Sequence, residues 1–130
     1  MGFPTAKALD GLGVLVVEDE PLVAMELADE LQDMGAKVIG PAGTLEGALA
    51  LVDAHGIDAA VLDIKLKSDL VYPVADVLVG RGVPFIFATG YDSGDLPTGY
   101  AQVPTYQKPA SAAAVLGLLA ASVLSSGRLD

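Results

Sequence analysis

The chain has 130 residues, 52% of them hydrophobic, which is enough for one compact domain with its own core but not for two. Its 17 acidic and 7 basic residues give a formal charge of −10, which opposes direct contact with nucleic acid or with an anionic membrane surface. The absence of cysteine excludes disulfides, thiol nucleophiles and thiolate metal sites, so any metal must be held by oxygen or by His55.

No targeting or membrane segment is recognisable in the sequence. The N-terminus lacks an apolar stretch of signal-peptide type, and the longest apolar region, residues 112–124, is too short to span a bilayer. We therefore expect a cytoplasmic protein without membrane contact, and a single domain without an attached effector domain.

Strands alternate with helices in the predicted element order. Four apolar runs lack polar alternation, which is typical of parallel strands covered on both faces. The runs are residues 14–17, 38–39, 59–62 and 85–88, and a fifth strand is expected near residues 103–106. Helical spacing predicts helices over residues 21–34, 45–55, 71–79 and 111–124.

The first and second helices have clear boundary signals. Pro21 suits the start of the first helix and Gly35 its end, while Thr44 suits the cap of the second. The predicted buried stripe of the first helix consists of Leu22, Met25, Leu27, Ala28 and Leu31.

A further helix should follow the fourth strand, but its sequence is unfavourable. Residues 90–99 contain three glycines and a proline, which oppose helix formation. We expect a helix there that is short, frayed or disordered. The element order as a whole predicts an α/β domain with a doubly wound, five-stranded parallel sheet in the flavodoxin-like order 2-1-3-4-5.

Polar residues gather where the predicted strands end. An acidic run at residues 18–20 follows the first strand, Asp63 the third, Thr89 the fourth and Lys108 the fifth. Ligands of open parallel sheets bind beyond the carboxyl ends of the strands, so we expect one site at this edge. Converging carboxylates repel one another, and a hard divalent cation with oxygen ligands relieves the repulsion. The expected ion is Mg²⁺.

These residue types are suited to phosphoryl transfer. With Mg²⁺ bound, Asp63 at the end of the central strand can attack a phosphoryl group and form an aspartyl phosphate. Thr89 can donate its hydroxyl to one phosphoryl oxygen and Lys108 its ammonium to another. Each feature alone has a simpler explanation, such as an acidic first helical turn at 18–20 or a turn-forming Asp63. The simpler explanations do not account for the shared edge.

Four short segments together resemble the response-regulator receiver family. They read Val16-Val17-Glu18-Asp19-Glu20, Val61-Leu62-Asp63, Ala88-Thr89-Gly90 and Gln107-Lys108-Pro109. The resemblance extends over residues 13–124, and it implies a receiver domain at residues 12–125 between an N-terminal extension, 1–11, and a C-terminal tail, 126–130.

The resemblance implies a role for each residue of the predicted site. Asp63 is similar to the phosphoacceptor, Glu18 and Asp19 to the acidic metal pair, Thr89 to the switch hydroxyl, and Lys108 to the phosphate-binding lysine.

Two backbone features are implied in the same way. The carbonyl of Lys65 would be a further Mg²⁺ ligand, and the peptide before Pro109 would be a cis bond. Such a protein is a signalling switch that promotes its own phosphorylation and dephosphorylation, and is not an enzyme in the usual sense.

Residues 84–91, with the sequence Pro-Phe-Ile-Phe-Ala-Thr-Gly-Tyr, closely resemble the signature of the FATGUY subfamily of single-domain receivers. Members typically lack a well-formed fourth helix, in agreement with the glycines at residues 90–99. The subfamily implies sensor histidine kinases as partners, some of them in stress-response pathways. A phosphotransferase or another protein is a further expected partner, and the chain is expected to be a monomer or weak dimer.

The sequence departs from the general family at two places. The position three residues before Lys108 holds Thr105 instead of an aromatic residue, and Tyr106 should face the opposite side of its strand. Our hypothesis is that phosphorylation reshapes residues 90–99 instead. The loop after Asp63 also lacks the Pro-Gly pair common in receivers, so Lys65, Lys67 and Tyr91 are candidates for tuning dephosphorylation.

Two other functions remain open from the residues. A flavodoxin-like domain that binds a nucleotide or flavin would use the same edge, although three acids stand where a glycine-rich phosphate loop is expected. A pseudo-receiver adaptor would keep the fold without phosphorylation, although it would not need all of the predicted site residues. His55 is expected to end the second helix and is assigned no role. Tyr91 and Tyr100 are expected to serve either as partner contacts or in packing.

Overall fold

The computed structural model describes residues 8–90, 98–100, 102–108 and 111–126. The elements in chain order are β1 (Gly13–Val17), α1 (Pro21–Asp33), β2 (Lys37–Ala42), α2 (Leu45–Ala54), β3 (Ala59–Asp63), β4 (Lys65–Leu66), β5 (Asp69–Leu70), α3 (Tyr72–Gly80), β6 (Phe85–Thr89), a 3₁₀ turn (Thr98–Tyr100), β7 (Thr105–Gln107) and α4 (Ala112–Ser125).

Five parallel strands form the central sheet in the order β2-β1-β3-β6-β7. With the short strands β4 and β5 left aside, this is the predicted order 2-1-3-4-5, and the predicted α/β fold class is confirmed. Every residue of β1, β3 and β6 is buried, because helices cover both faces of the sheet. Leu15 packs towards α2 and α3, whereas Val14 and Val16 pack towards α1 and α4.

Local signals determine where the helices begin and end. Pro21 is the first residue of α1, and Gly35 follows the helix with a φ of 83°, a conformation that costs glycine little. Thr44 accepts a hydrogen bond from Gly47 N at 3.0 Å, and Ser111 accepts one from Ala114 N at 3.1 Å. Both hydroxyls satisfy main-chain donors that the first helical turn leaves unpaired.

The predicted buried stripe of α1 is wrong at two positions. Leu22 and Met25 are 74% and 54% exposed, whereas Ala24, Leu27 and Leu31 are buried. A helix on one side of a sheet buries a single face, and residues at spacings of three and four share that face. Leu22 lies on nearly the opposite side of the helix from Ala24, at about 100° per residue.

An antiparallel hairpin, not predicted from the sequence, follows Asp63. Lys65 pairs with Leu70 and Leu66 with Asp69, and Val71 N donates to Ile64 O at 2.9 Å. Ile64 and Leu66 are buried and anchor the hairpin in the core. Its strands are two residues long and its turn lacks Gly and Asn, so it carries no strong sequence signal.

The connection between β6 and β7 contains the 3₁₀ turn among its described residues, while residues 91–97, which hold most of the predicted weak helix, lie outside them. Tyr100 stacks on Tyr72 with ring centroids 4.9 Å apart and meets Phe87 edge-on at 5.7 Å. Its hydroxyl donates to the carboxylate of Asp76. Tyr100 is therefore a buried packing residue; Tyr91 lies outside the described residues.

Residues of β7 point to alternate sides of the sheet. Thr105 is in register with Phe87, which packs towards α2 and α3. Tyr106 packs with the cluster under α1 and α4. The prediction that Tyr106 faces away from the side of Thr105 is thus confirmed. In the part of the chain that the structure describes, no helix is long and apolar enough to cross a membrane.

The burial pattern of α1 predicts unequal effects of two leucine substitutions. Leu31→Ala should lower the free energy of unfolding by about 2 to 5 kcal/mol, because it removes a fully buried side chain and leaves a cavity. Leu22→Ala should change it by about 0.5 kcal/mol or less, because Leu22 is exposed. Urea unfolding of both variants measures the difference, and similar losses would contradict the orientation of α1.

Candidate functional site

Three polar side chains are buried among the residues that the structure describes. Glu18, Asp63 and Thr89 are 3%, 6% and 1% exposed. Glu18 directly follows β1, while Asp63 and Thr89 end β3 and β6. These three strands are adjacent and parallel, so the side chains meet at one carboxyl edge of the sheet. All three are residues that the sequence predicted for the site.

Lys108 connects the two buried carboxylates. Its Nζ lies 2.7 Å from Glu18 Oε1 and 3.3 Å from Asp63 Oδ2. The main chain holds the lysine in place, because Lys108 N donates to Thr89 O at 2.7 Å at the ends of β6 and β7. A buried carboxylate needs such a partner, since removal from water without one is strongly unfavourable.

Glu18, Asp19 and Asp63 form an oxygen-rich cluster. Each offers a carboxylate oxygen, and the three oxygens lie within 4.8 Å of one another. Glu18 also accepts a hydrogen bond from Glu20 N at 3.1 Å, which orients its carboxylate. Hard carboxylate oxygens are the ligands that Mg²⁺ prefers, so these residues fit the predicted ion.

The electrostatics of the site favour a bound cation. The pKa of Asp63 is raised to about 7 as the net result of three effects: burial raises it most, the negative charge of Glu18 also raises it, and the ammonium of Lys108 lowers it. Burial lowers the pKa of Lys108, but its hydrogen bond to Glu18 and the charges of Asp63 and Glu18 outweigh burial, and its pKa is raised. Lys108 forms ion pairs with two of the three carboxylates of the cluster, so its single ammonium does not balance their charge.

An open groove of about 350 Å³ lies above Asp63 and is lined by Asp19, Glu20, Asp63, Lys65, Leu66, Lys67, Gly90 and Lys108. Thr89 is buried and does not line it.

The main-chain carbonyl of Lys65 is not used in pairing the two strands of the hairpin. The bond from Val71 N to Ile64 O makes Lys65 and Leu70 the next, non-hydrogen-bonded pair of the hairpin. Main-chain groups at such a position point away from the partner strand. The carbonyl of Lys65 therefore does not bond to Leu70.

The remaining residues considered from the sequence lie elsewhere. His55 lines a separate groove with Gly13 and Asp58 at the amino end of β1, away from the carboxylates. Pro109 lies outside the described residues, and the cis peptide among the described residues is Gly40–Pro41. Lys67, predicted as a candidate for tuning dephosphorylation, lines the groove, and so do Glu20 and Leu66, for which no such position was predicted.

No family model matches the chain. Individual proteins, however, are similar to it. The chain is 33% identical over 110 residues to the phyllosphere-induced regulator PhyR of Methylorubrum extorquens, an alignment that covers 79% of this chain. The chain spans 41% of the length of that relative, so the match concerns one part of a longer protein.

Solved structures match over most of their length. SdrG from Sphingomonas melonis Fr1 is 39% identical with a TM-score of 0.75, and the match covers 90% of this chain and 98% of SdrG. The receiver domain of the response regulator PhyR from Erythrobacter litoralis is 28% identical with a TM-score of 0.76, covering 91% of this chain and 93% of that domain. The fold, the residues gathered at its carboxyl edge and these similarities together lead to one conclusion: this chain belongs to the response-regulator receiver family, whose members act in two-component signalling.

Proposed function

We propose that the chain is a phosphorylation switch in which Asp63 accepts a phosphoryl group from a sensor histidine kinase and the modified protein signals by binding other proteins. The observation that carries the proposal is the position of Lys108, whose Nζ lies 3.3 Å from Asp63 Oδ2. Asp63 is also within 4.8 Å of oxygens from two further carboxylates. A nucleophile, a cation that can bind phosphate and a set of metal ligands thereby share one edge of the sheet.

The proposed reaction transfers one phosphoryl group. A carboxylate oxygen of Asp63 forms a bond to phosphorus while the phosphorus–nitrogen bond of a phosphohistidine breaks, and the imidazole leaves with the electron pair and takes up a proton from solvent. Attack of water on the same phosphorus later releases inorganic phosphate and restores the carboxylate. This chain promotes both steps on itself, so it is a switch and not a classical enzyme.

Each of the other residues has one proposed task. Lys108 donates its ammonium to a phosphoryl oxygen, and Thr89 donates its hydroxyl to another once it turns towards the groove. Glu18, Asp19, Asp63 and the carbonyl of Lys65 would hold Mg²⁺. The ion would supply positive charge next to the transferred group.

The proposal extends to the setting of the protein. We infer a receiver domain over residues 12–125, flanked by an extension at 1–11 and a tail at 126–130, and membership of the FATGUY subfamily from residues 84–91. The expected location is the cytoplasm, and the expected partners are a histidine kinase and a phosphotransferase or another protein. Direct contact with nucleic acid or membrane is disfavoured by the charge of −10. A monomer or weak dimer is expected.

Incubation with acetyl phosphate and Mg²⁺ tests the chemistry. The wild type should gain the mass of one phosphoryl group in an acid-stable, base-labile form, and Asp63→Asn should gain none, because the amide lacks the nucleophilic oxygen. EDTA should abolish labelling of the wild type. Asp69→Asn, which removes an exposed acid of the same hairpin, should be labelled normally.

Four results would contradict the proposal. Labelling of Asp63→Asn would place the chemistry on another residue, and labelling without a divalent ion would remove the proposed role of Mg²⁺. An unlabelled wild type that nevertheless binds a nucleotide or flavin would support the flavodoxin-like alternative, and one that binds neither would support a pseudo-receiver adaptor.

The raised pKa of Asp63 predicts a pH-dependent stability in EDTA. Below pH 3.8 Asp63 is protonated in both the native and the unfolded chain, whereas above pH 7 it is ionised in both. Between these values the native state binds more protons, so stability falls as pH rises. Asp63→Asn removes the buried charge and should raise the free energy of unfolding at pH 8 by about 1 to 3 kcal/mol.

Urea unfolding at several pH values measures this effect. The advantage of Asp63→Asn should disappear towards pH 4, and saturating Mg²⁺ should reverse it at pH 8 by stabilising the wild type. Asp69→Asn should show neither change. An advantage that is independent of pH would contradict the electrostatic explanation.

A further inference from the structure

The basic residues of this acidic chain are concentrated at one groove. The structure describes five basic residues, Lys37, Lys65, Lys67, Arg81 and Lys108. Three of them, Lys65, Lys67 and Lys108, line the groove above Asp63. A chain with a formal charge of −10 places most of its described positive charge around one carboxylate. The contact of Lys108 with Asp63 does not explain why Lys65 and Lys67 also line this groove.

Lys67 differs from Lys108 in its contacts. Lys108 is engaged with Glu18 and Asp63. Lys67 is exposed at the two-residue turn between β4 and β5, and it forms no ion pair with any residue in the described part of the chain. Its ammonium is exposed to solvent and lines the groove, so it can attract an anion that approaches Asp63.

The hairpin holds Lys67 at this position. Ile64 and Leu66 are buried on the two sides of Lys65, and Val71 N bonds to Ile64 O at 2.9 Å. Lys67 therefore directly follows a residue that is anchored in the core. This anchoring keeps the ammonium of Lys67 near the rim of the groove, whereas a loop without buried residues would let it move away.

An approaching phosphoryl donor is itself an anion. It must enter a groove that Asp19 and Glu20 also line, on a chain that repels it. Because this groove carries acids as well as lysines, an exposed ammonium that lines it offsets the repulsion of the acids and attracts an approaching anion. We propose that Lys67 recruits anionic phosphoryl donors to Asp63 and thereby favours doubly charged donors over singly charged ones.

This inference rests on the proposed phosphorylation of Asp63. It concerns the approach of the phosphoryl donor to the groove and not the transfer of the phosphoryl group. Lys67 is a positioning residue for the donor and makes no contact with Asp63 in the structure. Its effect should therefore depend on the charge of the donor and on ionic strength, which distinguishes it from a structural effect.

The test compares the second-order rate constants of labelling for Lys67→Gln, Lys67→Arg and Lys37→Gln. Lys37 is exposed at the amino end of β2, so its substitution removes the same charge far from the groove. The donors are acetyl phosphate, which is doubly charged at neutral pH, and phosphoramidate, which is singly charged.

At low salt, Lys67→Gln should react with acetyl phosphate about two- to five-fold more slowly than the wild type. The loss should be smaller with phosphoramidate and should nearly disappear at about 1 M salt, where screening acts over about 3 Å. Lys67→Arg should retain the rate because it retains the charge. Lys37→Gln should react like the wild type.

Several outcomes would overturn the inference. An unchanged rate in Lys67→Gln, an equal loss with both donors, a loss that persists at high salt, or a failure of Lys67→Arg to retain the rate would each exclude steering by this charge. In all of these cases labelling of the wild type on Asp63 would leave the proposed function intact. Absence of labelling in the wild type would instead remove the proposed function and this inference together.

Discussion

The site depends on one ammonium between two buried carboxylates. Lys108 Nζ contacts Glu18 and Asp63 at 2.7 and 3.3 Å, and it is the only side chain among the described residues that forms an ion pair with either. Burying two like charges side by side is unfavourable, and the raised pKa of Asp63 reflects that cost. A single lysine leaves the cluster short of positive charge. This deficit makes the same edge receptive to a divalent cation and to an additional ammonium on its rim.

The sheet and the hairpin turn this electrostatic arrangement into a site. Three adjacent parallel strands bring Glu18, Asp63 and Thr89 to one edge. The hairpin after Asp63 then covers that edge on one side and carries Lys67 at its turn. Because Ile64 and Leu66 are buried, the hairpin cannot move far without exposing core residues. The groove therefore has one wall that is held firmly by the core.

The far side of the sheet shows how a missing aromatic residue is accommodated. Thr105 is in register with Phe87, and the ring of Tyr100 packs against Phe87 from the 3₁₀ turn. Tyr100 is also tied to α3 through Tyr72 and Asp76. The end of the β6–β7 connection is thus attached to α3, while Thr89 lies at its beginning.

The sequence by itself predicted the five strands of the central sheet, the fold class and the polar residues that meet at its carboxyl edge, because apolar runs and the polar residues that follow them are properties of short segments. Thr44 and Pro21 likewise act within one helical turn. Tertiary structure alone decided which face of α1 is buried, because Leu22 and Leu31 have the same chemistry and differ only in what lies next to them. It also decided the hairpin, whose two-residue strands are stabilised by the burial of Ile64 and Leu66 in the core. The pairing of Lys108 with Glu18 and Asp63, which lie 90 and 45 positions away in the sequence, was decided in the same way. Contacts at such separations depend on the closed fold, so no local pattern encodes their distances.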